Sequence, residues 1–172
     1  MSTNSDPKFD SFLEEVGLFG LHIVEPAAES WETSGTLPRN YFQQAAAKSL
    51  CGLLVPAIDG GQGLGIHGFT NVIEKLGRHC FSATFALQVQ NNFAVALSKH
   101  GSEQQKKQFL SKMLSGETIG AFLLTEPDAG SDASAISTTA KNIGQENWQL
   151  DGTKNWVTNG SNADLLCVYA QT

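Results

Sequence analysis

The apolar pattern of this chain changes its period once, near Gly116, and that change constrains the fold more than any other feature. Before it, apolar residues recur at helical intervals; after it, they fall into short β-branched runs broken by turn residues. Phe9, Phe12, Leu13 and Val16 mark a first helix that Pro26 bends or ends. Pro38 suits the first position of a second helix through Ala45-Ala46-Ala47 to Leu50. A third covers roughly Ile66 to Arg78. The fourth, Ser82 to His100, carries Phe85, Val89, Phe93 and Leu97 at every fourth position and is apolar on more than one face. It reads as a central, buried helix closed by a Gly101 cap. Ser102 and Gln105 then form a capping box for a fifth helix that ends at Gly116.

Beyond Gly116, Thr118 to Leu124 reads as a buried strand. Trp148 to Leu150 and Thr153 to Val157 read as a hairpin about an Asp151-Gly152 turn. Asn159-Gly160 signals another turn, and Leu165 to Ala170 a further strand. The expected fold class is α+β and multidomain: an all-α helical domain over 1–116, then an incomplete antiparallel β-barrel domain over 117–172. The last strand, LLCVYA, is apolar on both faces. Three or four strands cannot cover it, so the expectation is a chain that continues, or a partner.

Composition excludes several classes. A net charge of -6 with only Arg39 and Arg78 as arginines argues against nucleic-acid binding. No apolar run approaches the ~20 residues that span a bilayer. The three cysteines, Cys51, Cys80 and Cys167, form no CxxC pair, and the four histidines lack ligand spacing, so no metal site is expected. The start, MSTNSDPKFDSFLEE, is polar and acidic, unlike a signal peptide or an Arg-rich presequence, which makes the cytoplasm the expected compartment.

GQGLGIHG, Gly61 to Gly68, contains the Gly-x-Gly-x-x-Gly spacing of a dinucleotide-binding turn. Leu53-Leu54-Val55 could be the strand before it and Ile66 to Leu76 the helix after it. The acidic residue needed about 20 positions on is missing, because no Asp or Glu lies between Glu74 and Glu103. The stretch reads as a loop.

The most specific stretch is LLTEPDAGSDASA, Leu123 to Ala135. It sets a hydroxyl, Thr125, at a strand end, then a Gly that permits close backbone approach and a Ser able to meet a phosphate. Read alone, it is equally an ordinary strand-turn element in which Ser131 or Asp132 caps the succeeding segment. Together with KNWVTNG, Lys154 to Gly160, it resembles the two best-known motifs of the acyl-CoA dehydrogenase family. VPAIDGGQGLG and HGSEQQKKQFLSKMLSGETIGAF resemble two more of that family's stretches, and the resemblance runs over nearly the whole chain from about Phe9. In this family the Gly-rich loop connects helices.

The resemblance implies a flavoenzyme of three parts, a helical domain, a β domain and a C-terminal helical bundle, that oxidises an acyl-CoA thioester to the 2,3-enoyl-CoA. FAD is the implied cofactor. Carried onto matching positions, Phe122, Leu124, Thr125, Gly130, Ser131, Trp156, Val157 and Thr158 bind it, and Ser131 also approaches the pantetheine arm of the substrate. The family's catalytic Glu belongs to the bundle, so no catalytic residue is expected in this chain, and Glu126 is implied to be structural. Implied partners are an acyl-CoA, an electron acceptor such as an electron-transferring flavoprotein and, for the complete protein, further copies of itself. The chain alone is expected to be inactive. The alternative expectation is a truncated, non-catalytic relative that binds an acyl chain or another subunit.

Overall fold

The computed structural model describes residues 6–172. The compartment expectation rests partly on residues 1–5, which lie outside the described residues, as does the start of the expected first domain. Helices α1 (Pro7–Phe19) and α2 (Glu25–Ser34) form one continuous run through a wider turn, Gly20–Val24. Asp6 caps α1 by accepting from the Lys8 amide. Pro26 therefore does not end the helix. It lacks the N–H of a normal turn, and the preceding turn opens so that the Glu25 amide reaches Gly20 O instead. Phe19 and Trp31, on either side of that turn, both meet the Tyr41 ring, with centroids 6.2 and 5.3 Å away.

Helix α3 (Arg39–Ala47) starts one residue after Pro38, which lies just outside it in extended conformation. It ends before Leu50, where Ser49 turns left-handed (φ 61°) into a short 3-10 turn, Leu50–Gly52. Leu53-Leu54-Val55 is not a strand: Leu64 N donates to Leu53 O, Gly63 N to Val55 O and Gln62 N to Gly52 O. The Gly-rich stretch thus folds back on its own chain and spends its amides there. Gly61 lies so close to Val55 that a Cβ would come 2.1 Å from its carbonyl oxygen. Helix α4 (Ile66–Gly77) comes next.

Helix α5 (Phe81–His100) is the centre of the molecule, with Leu87, Val89, Phe93 and Leu97 buried. Phe85 is the exception. It is 40% exposed and stacks on Phe81, centroids 5.9 Å apart. Two fully buried amides of α5 tie the surrounding chain to it. Gln90 donates to Met113 O and Thr118 O and accepts from Gly120 N at 2.7 Å. Asn91 donates to Leu50 O and Leu87 O and accepts from Leu53 N. Buried amides of this kind are stable only when so fully partnered. Gly101 ends α5 in extended conformation, not as a left-handed cap.

The capping box of Ser102 and Gln105 opens α6 (Glu103–Gln105), which continues through a second wide turn, Lys106–Leu110, into α7 (Ser111–Leu114). Gly116 then turns left-handed (φ 71°) against Phe42, where a Cβ would meet the Phe42 oxygen at 2.4 Å. One apolar cluster joins α1, α3, α4 and α5 around Phe19, Tyr41, Phe42, Leu76 and Leu87. A second, around Phe93, Leu97, Leu110 and Met113, reaches Phe122, Leu165 and Cys167 of the strands.

The strands are β1 (Gly120–Leu123), β2 (Thr139–Gly144), β3 (Asn147–Asp151) and β4 (Leu165–Val168). They form two separate ladders among the described residues, not one antiparallel sheet, and no barrel closes. β1 pairs with β4 in parallel, Gly120 opposite Leu165; β2 and β3 form the antiparallel hairpin. The hairpin turn is Gln145-Glu146, both at positive φ (54° and 61°), the geometry of a primed two-residue turn. The expected Asp151-Gly152 turn is not there, and Thr153 to Val157 is not a strand. Gly152 serves a close crossing instead, since a Cβ on it would lie 2.3 Å from Thr138 Oγ1. The last strand is not buried on both faces: Leu166 is 51% exposed and Tyr169 42%.

Candidate functional site

Strand β1 delivers Phe122 into the chain Leu124-Thr125-Glu126. At Pro127 the chain reverses at once, with Glu126 N donating to Ala129 O and Ala129 N to Glu126 O. Proline at the second position of such a turn is preset for it. Gly130 and Ser131 come next, on the surface, and a Cβ on Gly130 would meet nothing within 4 Å. Asp132, and not Ser131, caps the next short turn (Ala133–Ala135), accepting from the Ser134 amide and hydroxyl. Those bonds, the hydroxyl first, hold the Asp132 carboxyl below its usual range.

Glu126 is buried behind this turn. Its Oε1 accepts from Lys154 Nζ at 2.7 Å and from the Thr138 amide at 2.9 Å; its Oε2 accepts from the Ser137 amide and hydroxyl at 2.6 and 2.7 Å. The Lys154 ammonium, with the Thr138 and Ser137 donors adding to it, pushes the Glu126 carboxyl far below the ordinary carboxylate range. Both oxygens are engaged, so this carboxylate is badly placed to take a proton from carbon. Its geometry is that of a strut.

Lys154 also donates to Leu124 O at 3.0 Å, and Asn155 N donates to Thr125 O at 2.8 Å. These two bonds bring the second motif alongside the first. Directly after Asn155, Trp156 sits at φ 57° with its indole 90% exposed. A left-handed backbone is unusual for a bulky aromatic and costs free energy on the order of 1 kcal/mol or more. The chain leaves that turn tightly, with Thr158 N bonded to Trp156 O and Gly160 N to Val157 O. Val157 and Thr158 are half-buried.

The loop beyond is braced on the helices. Asn159 Nδ2 donates to Ala86 O of α5 and Gly120 O of β1, at 3.0 and 3.1 Å. Asn162 Nδ2 donates to Leu37 O. Arg39 donates to Asn162 O, Glu117 O and Asp164 Oδ2, the last at 2.7 Å, while the Ile119 amide reaches the same Asp164 oxygen. The Arg39 hydrogen bond lowers the Asp164 carboxyl, with the Ile119 amide adding to it. A cavity of about 270 Å³ lies between this loop and the helices, with Thr158 and Asn159 on one wall and Trp31, Cys80 and Ala86 on the other.

Of the residues expected at the site, Thr125 and Trp156 to Thr158 are brought together by the cross-links between the motifs. Phe122 packs on Tyr169, centroids 4.9 Å apart, while Gly130 and Ser131 stand apart on the open turn. Sequence reasoning missed Arg39, Ser137, Thr138, Asn159 and Asp164. Only Asn159 carried a signal, as part of an Asn-Gly turn. Among the described residues there is no cluster of three or more potential metal ligands, and no helix is long and apolar enough to cross a membrane.

The family model for the acyl-CoA dehydrogenase N-terminal domain matches residues 7–117, and that for the acyl-CoA dehydrogenase middle domain residues 121–172. The mitochondrial isovaleryl-CoA dehydrogenase of Pongo abelii is 36% identical over 92% of this chain and 38% of its own length. The acryloyl-CoA reductase (NADH) of Anaerotignum propionicum is 34% identical over 87% of this chain and 38% of its own. A glutaryl-CoA dehydrogenase from Mycobacterium smegmatis, solved in complex with FADH2, superposes with a TM-score of 0.90 at 30% identity over 98% of this chain and 43% of that one. The chain spans less than half the length of these relatives.

Proposed function

Because this chain belongs to the acyl-CoA dehydrogenase family, we propose that it supplies the helical part and the first flavin-facing part of an FAD-dependent enzyme that oxidises an acyl-CoA to the 2,3-enoyl-CoA. The division between those parts falls near residue 117. The reading is carried by one observation. Trp156 is held in a strained left-handed turn that keeps its indole in the open, and that turn is pinned to the Thr125 carbonyl through Asn155. An exposed aromatic fixed at conformational cost is suited to lie against a planar ring.

FAD, when bound, would accept the β-hydrogen as hydride while a base removes the α-proton. Phe122, Leu124, Val157 and the Trp156 indole would form the walls on which it rests. The hydroxyls of Thr125 and Thr158 would donate toward ring positions that become electron-rich, and donors fixed in advance stabilise such charge best. The open space around Gly130 would let backbone amides approach the phosphates, with Ser131 serving both phosphates and the pantetheine arm. No residue of this chain is assigned the base, since Glu126 is held by its own donors. Phe85, exposed and stacked on Phe81, is a wall for the acyl chain. The acceptor is an electron-transferring flavoprotein, and the complete protein assembles with copies of itself.

The test is flavin uptake by the complete protein, read by visible absorbance and by bleaching on addition of an acyl-CoA without oxygen. A complete protein that neither carries nor takes up FAD would overturn the reading.

A further inference from the structure

The one side chain in the Trp156 loop that reaches both neighbouring elements at once is Asn159. Its amide nitrogen donates one hydrogen to Ala86 O, next in sequence to Phe85 on α5, and the other to Gly120 O, at the start of the strand that leads to Phe122. Both acceptors are main-chain carbonyls on elements fixed by the apolar core and by Gln90. Asn159 is itself left-handed, at φ 67°, and adjoins Thr158. A residue so placed sets the distance of the loop from the helix and from the strand together.

We infer that Asn159 is a positioning residue: its amide fixes Thr158 and Trp156 at a set height over the space between α5 and β1. The inference rests on the flavin reading above, and it adds the device that would align a flavin held by this loop with an acyl chain lying along α5. The second brace, Arg39 with Asn162 and Asp164, anchors the far end of the loop, so loss of Asn159 frees the near end without detaching the whole.

Two variants separate the side chain from the backbone. Asn159→Gly keeps the left-handed turn and removes the tether. Asn159→Asp keeps the shape but sets a carboxylate oxygen against two carbonyl oxygens, so the tether cannot form. Each is made in the complete, FAD-loaded protein, and each is read in two ways. Amide hydrogen exchange over residues 155–162, with and without flavin, should rise about tenfold while exchange over 81–100 stays unchanged. The rate of flavin reduction per bound flavin, with an acyl-CoA as probe, should fall roughly 10- to 100-fold with KM nearly constant, as expected for misplacement of a correctly bound group. A purely structural role predicts otherwise: folded protein and flavin content fall together, the rate per bound flavin is unchanged, and the inference is wrong. Unchanged exchange over 155–162 would also overturn it. If the unsubstituted protein takes up no flavin, the functional reading falls, and the exchange result alone decides whether the tether exists.

Discussion

Lys154 Nζ lies 2.7 Å from Glu126 Oε1, and both side chains are almost wholly withdrawn from solvent, at 6% and 2% exposure. An ion pair in such surroundings contributes little net stability, but removing one partner strands the other charge. Lys154→Met should therefore cost more stability than Glu126→Gln, and the double substitution Lys154→Met/Glu126→Gln should recover part of the loss. Denaturant melts of all three variants check this order. Equal, additive losses would mean that the pair does not act as a unit.

Acid should attack the same strut. The Glu126 and Asp164 carboxyls are both depressed in the folded chain, Glu126 chiefly by Lys154 and Asp164 chiefly by Arg39. A depressed carboxyl contributes stability that is complete above its unfolded value, about 4, and is lost as pH falls toward the folded one. Stability should thus be flat near neutrality and decline progressively below about pH 5. In Lys154→Met the Glu126 share of that decline should shrink, measured as the slope of unfolding free energy against pH.

Trp156→Gly sets flavin affinity against stability. With the indole 90% exposed and φ at 57°, glycine removes strain and almost no packing. The melting temperature should hold or rise slightly, while FAD affinity of the complete protein falls about tenfold or more, the scale of one lost stacking contact. A variant that keeps full affinity would remove Trp156 from the flavin site.

Gly61→Ala asks whether the Gly-rich stretch binds or merely connects. The added methyl would meet the Val55 oxygen at 2.1 Å, so a loss of about 1–3 kcal/mol is expected from overpacking. Flavin content per folded molecule should not change, because the loop amides are already bonded to Gly52, Leu53 and Val55. Flavin loss without loss of stability would contradict this.

Phe85→Ala in the complete enzyme should shift preference toward longer acyl chains, by roughly tenfold in the ratio of kcat/KM for long over short thioesters. An unchanged chain-length profile would show that Phe85 does not face the acyl group.

Local signals were the legible ones. The Ser102/Gln105 capping box forms as its spacing predicts, because both partners lie within one turn. The periodic apolar face of α5 also packs as its spacing predicts, apart from Phe85. The hairpin turn differs because Asp151-Gly152 has turn composition, whereas the actual turn uses Gln145 and Glu146, which adopt positive φ without glycine. Tertiary pairing of β2 with β3 outweighed the local preference. Gln90 and Asn91 have the character of surface positions on an apolar helix; their burial depends on carbonyls and amides from distant segments. The Glu126–Lys154 pair was invisible for the same reason, although each residue sits in a recognisable motif.

The wide turn at Gly20–Val24 acts as a phase shifter. In an unbroken α-helix Phe19 and Trp31 would point about 120° apart, and only one could reach Tyr41. A single wide turn absorbs roughly one residue of rotation, which brings both rings onto Tyr41. The cavity wall formed by Trp31 thus depends on how a turn earlier in the chain is wound. Deleting one residue there would close the wide turn into regular α-helix with Phe19 and Trp31 still within about 20° of each other, so that wall would stay in place.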